Sequence, residues 1–299
     1  MLLKKQKKMK IHFSDKLLLT ISYLFLILLS IICLFPFLLV ISASFTDEYT
    51  LLWNGYQLFP KKLSLQAYRL LFQTSQVSNA YMVTVFITFT GTILSMLMTS
   101  SMAYPLSVRN FRIRNKIAFF VYFTMLFSGG MVAHYLLISK YLNMRNNIWV
   151  MIIPSLINPW NMFLLRNFFS QLPESLSESA KIDGANDITI LFKIILPISL
   201  PGIATISLFY ALGYWNEWYK AMLYIDKEQL FPLQYLIMKI LRNMNFANTI
   251  AGNVGMTVNI PTYTVRMATV VVTIGPIIFL YPFLQKYFVK GLTVGGIKG

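Results

Sequence analysis

From Leu17 to Ile41 the chain reads LLLTISYLFLILLSIICLFPFLLVI, without one Asp, Glu, Lys, Arg or His. About 20 apolar residues in a helix cross the hydrocarbon of a bilayer, so this stretch is long enough to span it. Lys4, Lys5, Lys7, Lys8, Lys10 and Lys16 precede it, as in a secretory leader. The apolar core of a leader runs only about 7–15 residues, and Ser42-Ala43-Ser44 matches a cleavage site only weakly. The stretch therefore predicts an uncleaved first transmembrane helix.

Five further runs of suitable length follow, at 79–104, 117–138, 148–167, 194–216 and 267–289, and predict an all-α polytopic membrane protein with about six transmembrane helices. Composition agrees: of 299 residues 57% are hydrophobic, 15% aromatic and 12% charged, too little charge to cover a soluble surface. The net charge of +16 sits largely in short connectors, which favours topology anchors over nucleic-acid binding. The N-terminal tail 1–16, the connector holding Arg109, Arg112, Arg114 and Lys116, and the tail holding Lys286, Lys290 and Lys298 fall on one side if the span number is even. The positive-inside bias makes that side the cytoplasm, so both termini are expected there, with 42–78, 139–147 and 220–265 outside. Cys33 stands alone, which excludes a disulfide within the chain.

The runs hold almost no ionisable groups beyond His134 and the end-lying Arg166 and Glu217, which argues against a proton-coupled carrier. No internal repeat supports a stand-alone carrier, and His12 and His134 are too few and too far apart for a catalytic set in a membrane enzyme. Bends are expected at Pro154 and Pro159, at Pro197, Pro201 and Gly202, and at Gly275, Pro276 and Pro282. Asn158, Trp160 and Asn161 lie mid-run and can line a polar cavity or bond between helices. Trp215, Asn216 and Glu217 close the fifth run, where they can form a sugar-contacting rim or an ordinary interfacial anchor. In 220–265, Leu233, Leu236, Ile237, Ile240 and Leu241 after Pro232 predict a short amphipathic helix on the outer surface or against a partner.

The connector from Leu172 to Pro197, LPESLSESAKIDGANDITILFKIILP, reads as two short helices around a turn. Pro173, Glu174 and Glu178 suit the start of the first, Gly184 permits a left-handed turn, and Asn186 or Asp187 can cap the second. Its pattern Glu178-Ser179-Ala180, three residues, Gly184, nine residues, Ile194-Ile195-Leu196-Pro197 resembles the cytoplasmic signature of the permease subunits of bacterial ABC importers, with Ser179 where alanine is usual. Asp183-Gly184-Ala185 is similar too, as are Trp215-Asn216-Glu217 and the ending Lys290–Gly299, which resembles the tail of maltose-type permeases. Ser128-Gly129-Gly130-Met131 is similar to the complex-oligosaccharide branch of Gram-positive bacteria.

That resemblance implies a single permease domain over 1–299 with the type I ABC importer fold, in the cell membrane of a bacterium. It implies that Glu178, Ser179, Ala180, Asp183, Gly184, Ala185 and Pro197, within the coupling element 172–197, dock on an ATPase. Gly295, Gly296 and Lys298 in the C-tail 288–299 would reach into the same ATPase dimer. The partners implied are a homodimeric ATPase that binds ATP and Mg, a second related permease, an extracytoplasmic sugar-binding lipoprotein and a carbohydrate, an oligosaccharide in this branch. The chain has no Gly-x-x-x-x-Gly-Lys-Ser/Thr and is expected to be neither an ATPase nor a holder of any cofactor.

Overall fold

A computed structural model of the chain describes residues 13–73, 75–254, 261–275 and 277–278. Most of the N-terminal tail, the second half of the sixth run and the tail with Gly295, Gly296 and Lys298 lie outside the described residues. The described residues are helical, with one isolated antiparallel bridge between Thr46 and Leu63. They fall into two compact groupings, residues up to 70 with 261–271, and residues 71–260 with 272 onward.

In the first grouping, α1 (Phe13–Ser44) is followed by α2 (Glu48–Asn54) and α3 (Gln66–Phe72). The helix α1 is apolar on every side and none of its apolar window is buried against protein. A helix without a polar face and without a protein cover is what lipid, rather than water, accommodates. Its end is tied down: the Ser44 hydroxyl meets the Tyr68 hydroxyl at 2.8 Å, and the Ser42 hydroxyl donates to the Gln57 carbonyl at 2.6 Å. The Glu48 carboxylate accepts from the backbone N–H groups of Tyr263 and Thr264 (2.9 and 2.8 Å) and from the Thr264 hydroxyl (2.7 Å). A carboxylate at these first N–H groups of the helix over 262–275 satisfies donors that have no partner within the helix.

The second grouping is organised around α4 (Gln76–Ser107), which packs against α11 (Leu200–Trp215), α7 (Pro159–Ser170), α13 (Leu233–Val254) and α5 (Arg114–Leu126). Its buried residues include Ala80, Thr84, Ile87, Gly91, Ser95 and Thr99, small or slim side chains that let neighbours come close. At Gly91 the approach is closest, because a Cβ there would stand 2.7 Å from the Tyr214 ring.

Among the described residues only α1 and α4 are single helices both long and apolar enough to span a membrane. The other three described runs are bent pairs. Arg114–Leu126 and Gly130–Tyr141 meet at 110°, Ile148–Ser155 and Pro159–Ser170 at 49°, and Asp187–Ile198 and Leu200–Trp215 at 89°. The second and third bends fall at the expected prolines: Pro159 and Pro201 stand in the first turns of α7 and α11. The first was expected as an unbroken run. It breaks at Ser128-Gly129-Gly130, where Gly130 has φ +80°, before α6 (Gly130–Leu136) resumes the helix. The fifth run also begins later than expected: residues 194–198 continue the preceding connector helix, and the turn at Ser199 separates them from α11.

The amphipathic helix is longer than its five-residue stripe suggested and runs Leu233–Val254. Its apolar face lies against this chain: Leu233, Leu236 and Ile237 are buried, and the Leu233 N–H donates to the Thr84 hydroxyl at 2.8 Å.

Replacing Gly91 with valine forces the α4–α11 seam apart and lowers stability by about 1–3 kcal/mol, the usual cost of overpacking. Thermal unfolding of the purified subunit shows it as a reduced midpoint. In the double variant with Tyr214→Ala the two losses sum to less than their separate values, because the clash is gone.

Candidate functional site

Two places concentrate polar chemistry. The first is the knob formed by 172–197. After Pro173, α8 (Glu174–Ile182) ends at Gly184 with φ +84°. The Gly184 N–H donates to the Lys181 carbonyl (3.0 Å) and the Ala185 N–H to the Ala180 carbonyl (2.9 Å). These are the two bonds of a Schellman ending, which needs a residue at positive φ where Gly184 stands. Asn186, not Asp187, caps the next helix: its side-chain oxygen accepts from the Thr189 N–H at 2.8 Å, and α9 (Asp187–Ile190) continues through a wider turn at Leu191–Ile195 into α10 (Leu196–Ile198). Asp187 instead reaches Lys181 across the turn at 3.1 Å. That pair is exposed and adds little energy. The knob is anchored by apolar burial of Ala180, Ile190, Leu191 and Ile195, which belong to the same core as Leu106, Leu165 and Phe169.

Glu178, Ser179, Ala180, Asp183, Gly184 and Ala185 are thus brought onto one rigid turn. Pro197 lies in α10 at the base, beside the 89° bend. Ile182, next to the turn, is 87% exposed, an apolar side chain that nothing in the described residues covers. On the same end of the molecule the Arg109 guanidinium meets Glu174 at 2.9 Å, and the Arg166 Nε donates to the Leu106 carbonyl at 2.9 Å.

The second place is a cavity of about 340 Å³ at the break between Ile148–Ser155 and α7, lined by Asn158, Asn161, Tyr210, Tyr214, Glu217 and Lys220, with Gly213 on its wall. Its polar groups are held in place. The Asn158 side chain caps α7 by accepting from the Asn161 N–H (3.1 Å), and the Asn158 N–H donates to the Tyr210 hydroxyl (3.0 Å). Tyr210 shares a second hydrogen bond with Thr99 (2.7 Å), and Tyr214 bonds Ser95 (2.8 Å) and the Ile152 carbonyl (3.3 Å). Glu217 is buried; it accepts from the Lys220 N–H at 2.8 Å and is ion-paired with the Lys220 ammonium. The cavity therefore presents hydroxyls and amides, with its one cation and one anion neutralised against each other. At membrane depth, discontinuous helices and a polar lining belong to cavities rather than to lipid-facing surface.

Three of the six residues read from the sequence as path candidates, Asn158, Asn161 and Glu217, line this cavity. The other three do not. Trp160 is 61% exposed, Trp215 is buried with its indole N–H on the Thr273 carbonyl (3.0 Å), and the Asn216 amide bonds the Leu212 carbonyl (2.9 Å). Tyr210, Tyr214 and Lys220 went unremarked in the sequence. The visible signal was that Tyr210 and Tyr214 are four apart, as are Ser95 and Thr99, so each pair lies on one helix face.

The helical fold, the bent spans and the two sites together define a membrane permease. Residues 89–294 match the family of binding-protein-dependent transport system inner membrane components, and the chain belongs to that family. It is 43% identical over 277 residues to the polygalacturonan/rhamnogalacturonan transport system permease protein YtcP of Bacillus subtilis (strain 168), covering 93% of this chain and 96% of that one. It is 32% identical over 284 residues to the trehalose/maltose transport system permease protein MalG of Thermococcus litoralis, covering 91% and 94%. Among solved structures it resembles a chain of a bacterial ABC transporter involved in the import of the acidic polysaccharide alginate, with TM-score 0.79 and 29% identity over 93% of this chain and 98% of that one.

Gly213 supplies a direct test of the cavity. A Cβ there meets nothing within 4 Å, so Gly213→Ala is free of a Cβ clash and removes a glycine from a helix, a gain of up to about 1 kcal/mol, and Gly213→Leu extends the same position into the cavity. The expected result is an unfolding temperature equal to or above that of the parent protein with uptake reduced several-fold. Unchanged uptake places the cavity off the transport path.

Proposed function

We propose that this chain is the permease subunit of an ATP-driven importer of oligosaccharide, forming one half of the path, with 172–197 as the element that receives work from an ATPase. A permease of this family works in an ABC system with ATPase and binding-protein partners, and the family is not one of catalysts. The finer composition is part of the proposal: a second related permease, a homodimeric ATPase holding ATP and Mg, and an extracytoplasmic sugar-binding lipoprotein.

The observation that carries this reading is the knob itself. It is a turn of fixed geometry with an uncovered apolar tip at Ile182, rooted in the same core as α4 and α7. A rigid knob shared with the transmembrane core is what converts a partner's closure into a change of the spans, by biasing a two-state equilibrium. The Arg109–Glu174 contact puts the acid-free basic connector and the knob at one end of the molecule, and the positive-inside bias makes that end cytoplasmic. Six spans with both termini inside are part of the proposal, supported by the sixth apolar run, whose first residues lie in the helix over 262–275. The oligosaccharide class is supported by the names of the relatives and by the neutral hydroxyl-and-amide lining of the cavity.

Valine at position 184 cannot adopt φ near +84° without strain of about 1–3 kcal/mol. In proteoliposomes containing all the subunits, Gly184→Val is expected to lower oligosaccharide uptake per ATP hydrolysed, while Gly184→Asn, which tolerates the left-handed region, stays near the parent protein. Full coupling in the valine variant overturns the assignment. For the tail, deletion of the last ten residues, including Gly295, Gly296 and Lys298, is expected to change the ATPase rate and leave membrane insertion intact, read by hydrolysis assay and membrane fractionation.

A further inference from the structure

Beneath the knob, at the end of α4, lie two adjoining cavities away from the transport path, with Glu178 and Lys181 of the knob in their walls. One, of about 330 Å³, is basic: Arg109, Arg114, Arg166 and Lys181 line it, against the acids Glu174 and Glu178. Arg109 is paired with Glu174 and Lys181 with Asp187, but Arg114 and Arg166, both half-buried, have no carboxylate within ion-pair distance among the described residues. Arg166 spends only its Nε on the Leu106 carbonyl. The other cavity, of about 620 Å³, is mostly apolar, with walls of Pro105, Phe111, Ile188, Leu191 and Phe192, and its one acid, Asp187, is paired with Lys181. The two share Tyr104, Val108, Asn110 and Lys181, so a charged chamber and an oily one lie side by side. The apolar chamber reaches Ser101; one turn before it on α4, Leu97 and Met98 are exposed.

We propose that this two-chambered space binds one anionic phospholipid, its phosphate between Arg114 and Arg166 and an acyl chain against Phe111, Ile188 and Phe192. A half-buried guanidinium without an anion is electrostatically incomplete, and its planar fork suits a phosphate. Basic pockets between spans on the cytoplasmic side take acidic headgroups, and an apolar chamber opening along an exposed helix face suits the chain that comes with them. A free phosphate explains the first chamber and leaves the second without purpose. An acidic residue of a partner does the same. The bound lipid would tie α4, α5 (through Arg114) and α7 (through Arg166) to the base of the knob, making the knob's attachment depend on membrane composition. The inference goes beyond the transport reading and takes from it only the orientation of the knob, so a negative result here leaves the importer assignment untouched.

The test uses the whole importer, delipidated and returned to nanodiscs of phosphatidylcholine alone or mixed with phosphatidylglycerol, with retained lipid counted by native mass spectrometry. The parent protein is expected to retain one phosphatidylglycerol and no phosphatidylcholine. Arg114→Gln with Arg166→Gln is expected to weaken retention roughly 30-fold, and either alone roughly fivefold, from the usual worth of a cation near an acidic membrane surface. Phe192→Ser weakens it through the other chamber with every charge in place. Arg166→Lys keeps the charge and reports on folding; if Arg166→Gln fails to assemble, Arg114→Gln alone decides. Equal retention of the two lipids, or retention unchanged in the arginine variants, overturns the proposal. So does complete displacement by inorganic phosphate, which marks a small-anion site. Loss of ATPase association with lipid retention unchanged overturns it too, since the arginines then meet an acid of the partner.

Discussion

Two tyrosine hydroxyls on α11 hold the permease body together. Tyr210 joins α11 to Thr99 of α4 and to the Asn158 N–H at the start of α7. Tyr214 joins it to Ser95 of α4 and to the Ile152 carbonyl on the other side of the same break. In hydrocarbon no water is present to satisfy a backbone group freed by a broken helix, and each such group costs several kcal/mol if left alone. At the bend between Ile148–Ser155 and α7 the Tyr210 hydroxyl gives the Asn158 N–H its partner, and the Tyr214 hydroxyl adds a second bond to the Ile152 carbonyl, which already accepts from the Ser155 N–H at 3.1 Å. The polar cavity exists because the bend does, since Asn158, Asn161 and the two tyrosines face one another across it.

The same contact dictates the packing around it. The Tyr214 ring can lie against α4 only where α4 has no side chain, at Gly91, and α11 meets α7 in the same fashion where Gly202 faces the Phe168 ring, 2.7 Å from any Cβ placed there. With α4, α7 and α11 drawn together, the ends nearest the knob converge on Leu106, Leu165, Phe169 and Ile195 and carry the knob with them. Ala180 closes that cluster from the knob side. A core packed at the density of a crystal does not deform continuously, so force applied at the turn reaches the spans as a displacement of the whole base.

How much of this the sequence disclosed follows from the range of the interactions involved. Leu17–Ile41 was legible because a lipid-facing helix needs no partner and has no pattern to decode beyond its length. The knob was legible because its decisive features are local: a glycine at the left-handed position, an asparagine at a cap, a proline at a start. The 110° break was missed because Ser128-Gly129-Gly130 permits a turn without demanding one, and glycines are common inside spans. The late start of α11 was missed for a related reason: Pro197 and Pro201 both allow a break, and only packing against α7 decides that it falls at Ser199. The cavity was half legible. Asn158 and Asn161 advertise themselves as amides in an apolar run, whereas Tyr210 and Tyr214 look like ordinary span aromatics until the partner helix is known. Glu217 was legible as an acid but not as a paired one, because Lys220 reads as loop until α12 (Tyr219–Tyr224) forms around it.

The location of the breaks bears on how such a body can move. Within α4, α7 and α11 the backbone bonds are internal to each helix, and changing them means leaving groups unpaired in an apolar medium. At Asn158 the backbone N–H is instead held by a side-chain hydroxyl, and at Ile152 a hydroxyl shares the carbonyl with the Ser155 N–H; hydrogen bonds between helices in membranes average about 0.6 kcal/mol each. A hydroxyl can exchange one carbonyl for another, or for a sugar hydroxyl or a water, at little net cost. The bent pairs are therefore the cheapest places for the spans to reorient, and the cavity lies at one of them. The seam at Gly91 cannot yield in that way, because its energy is steric contact rather than exchangeable bonds. If the knob couples as proposed, motion from it is expected to rotate the α4–α7–α11 unit as a body, with the polar breaks opening and closing around it.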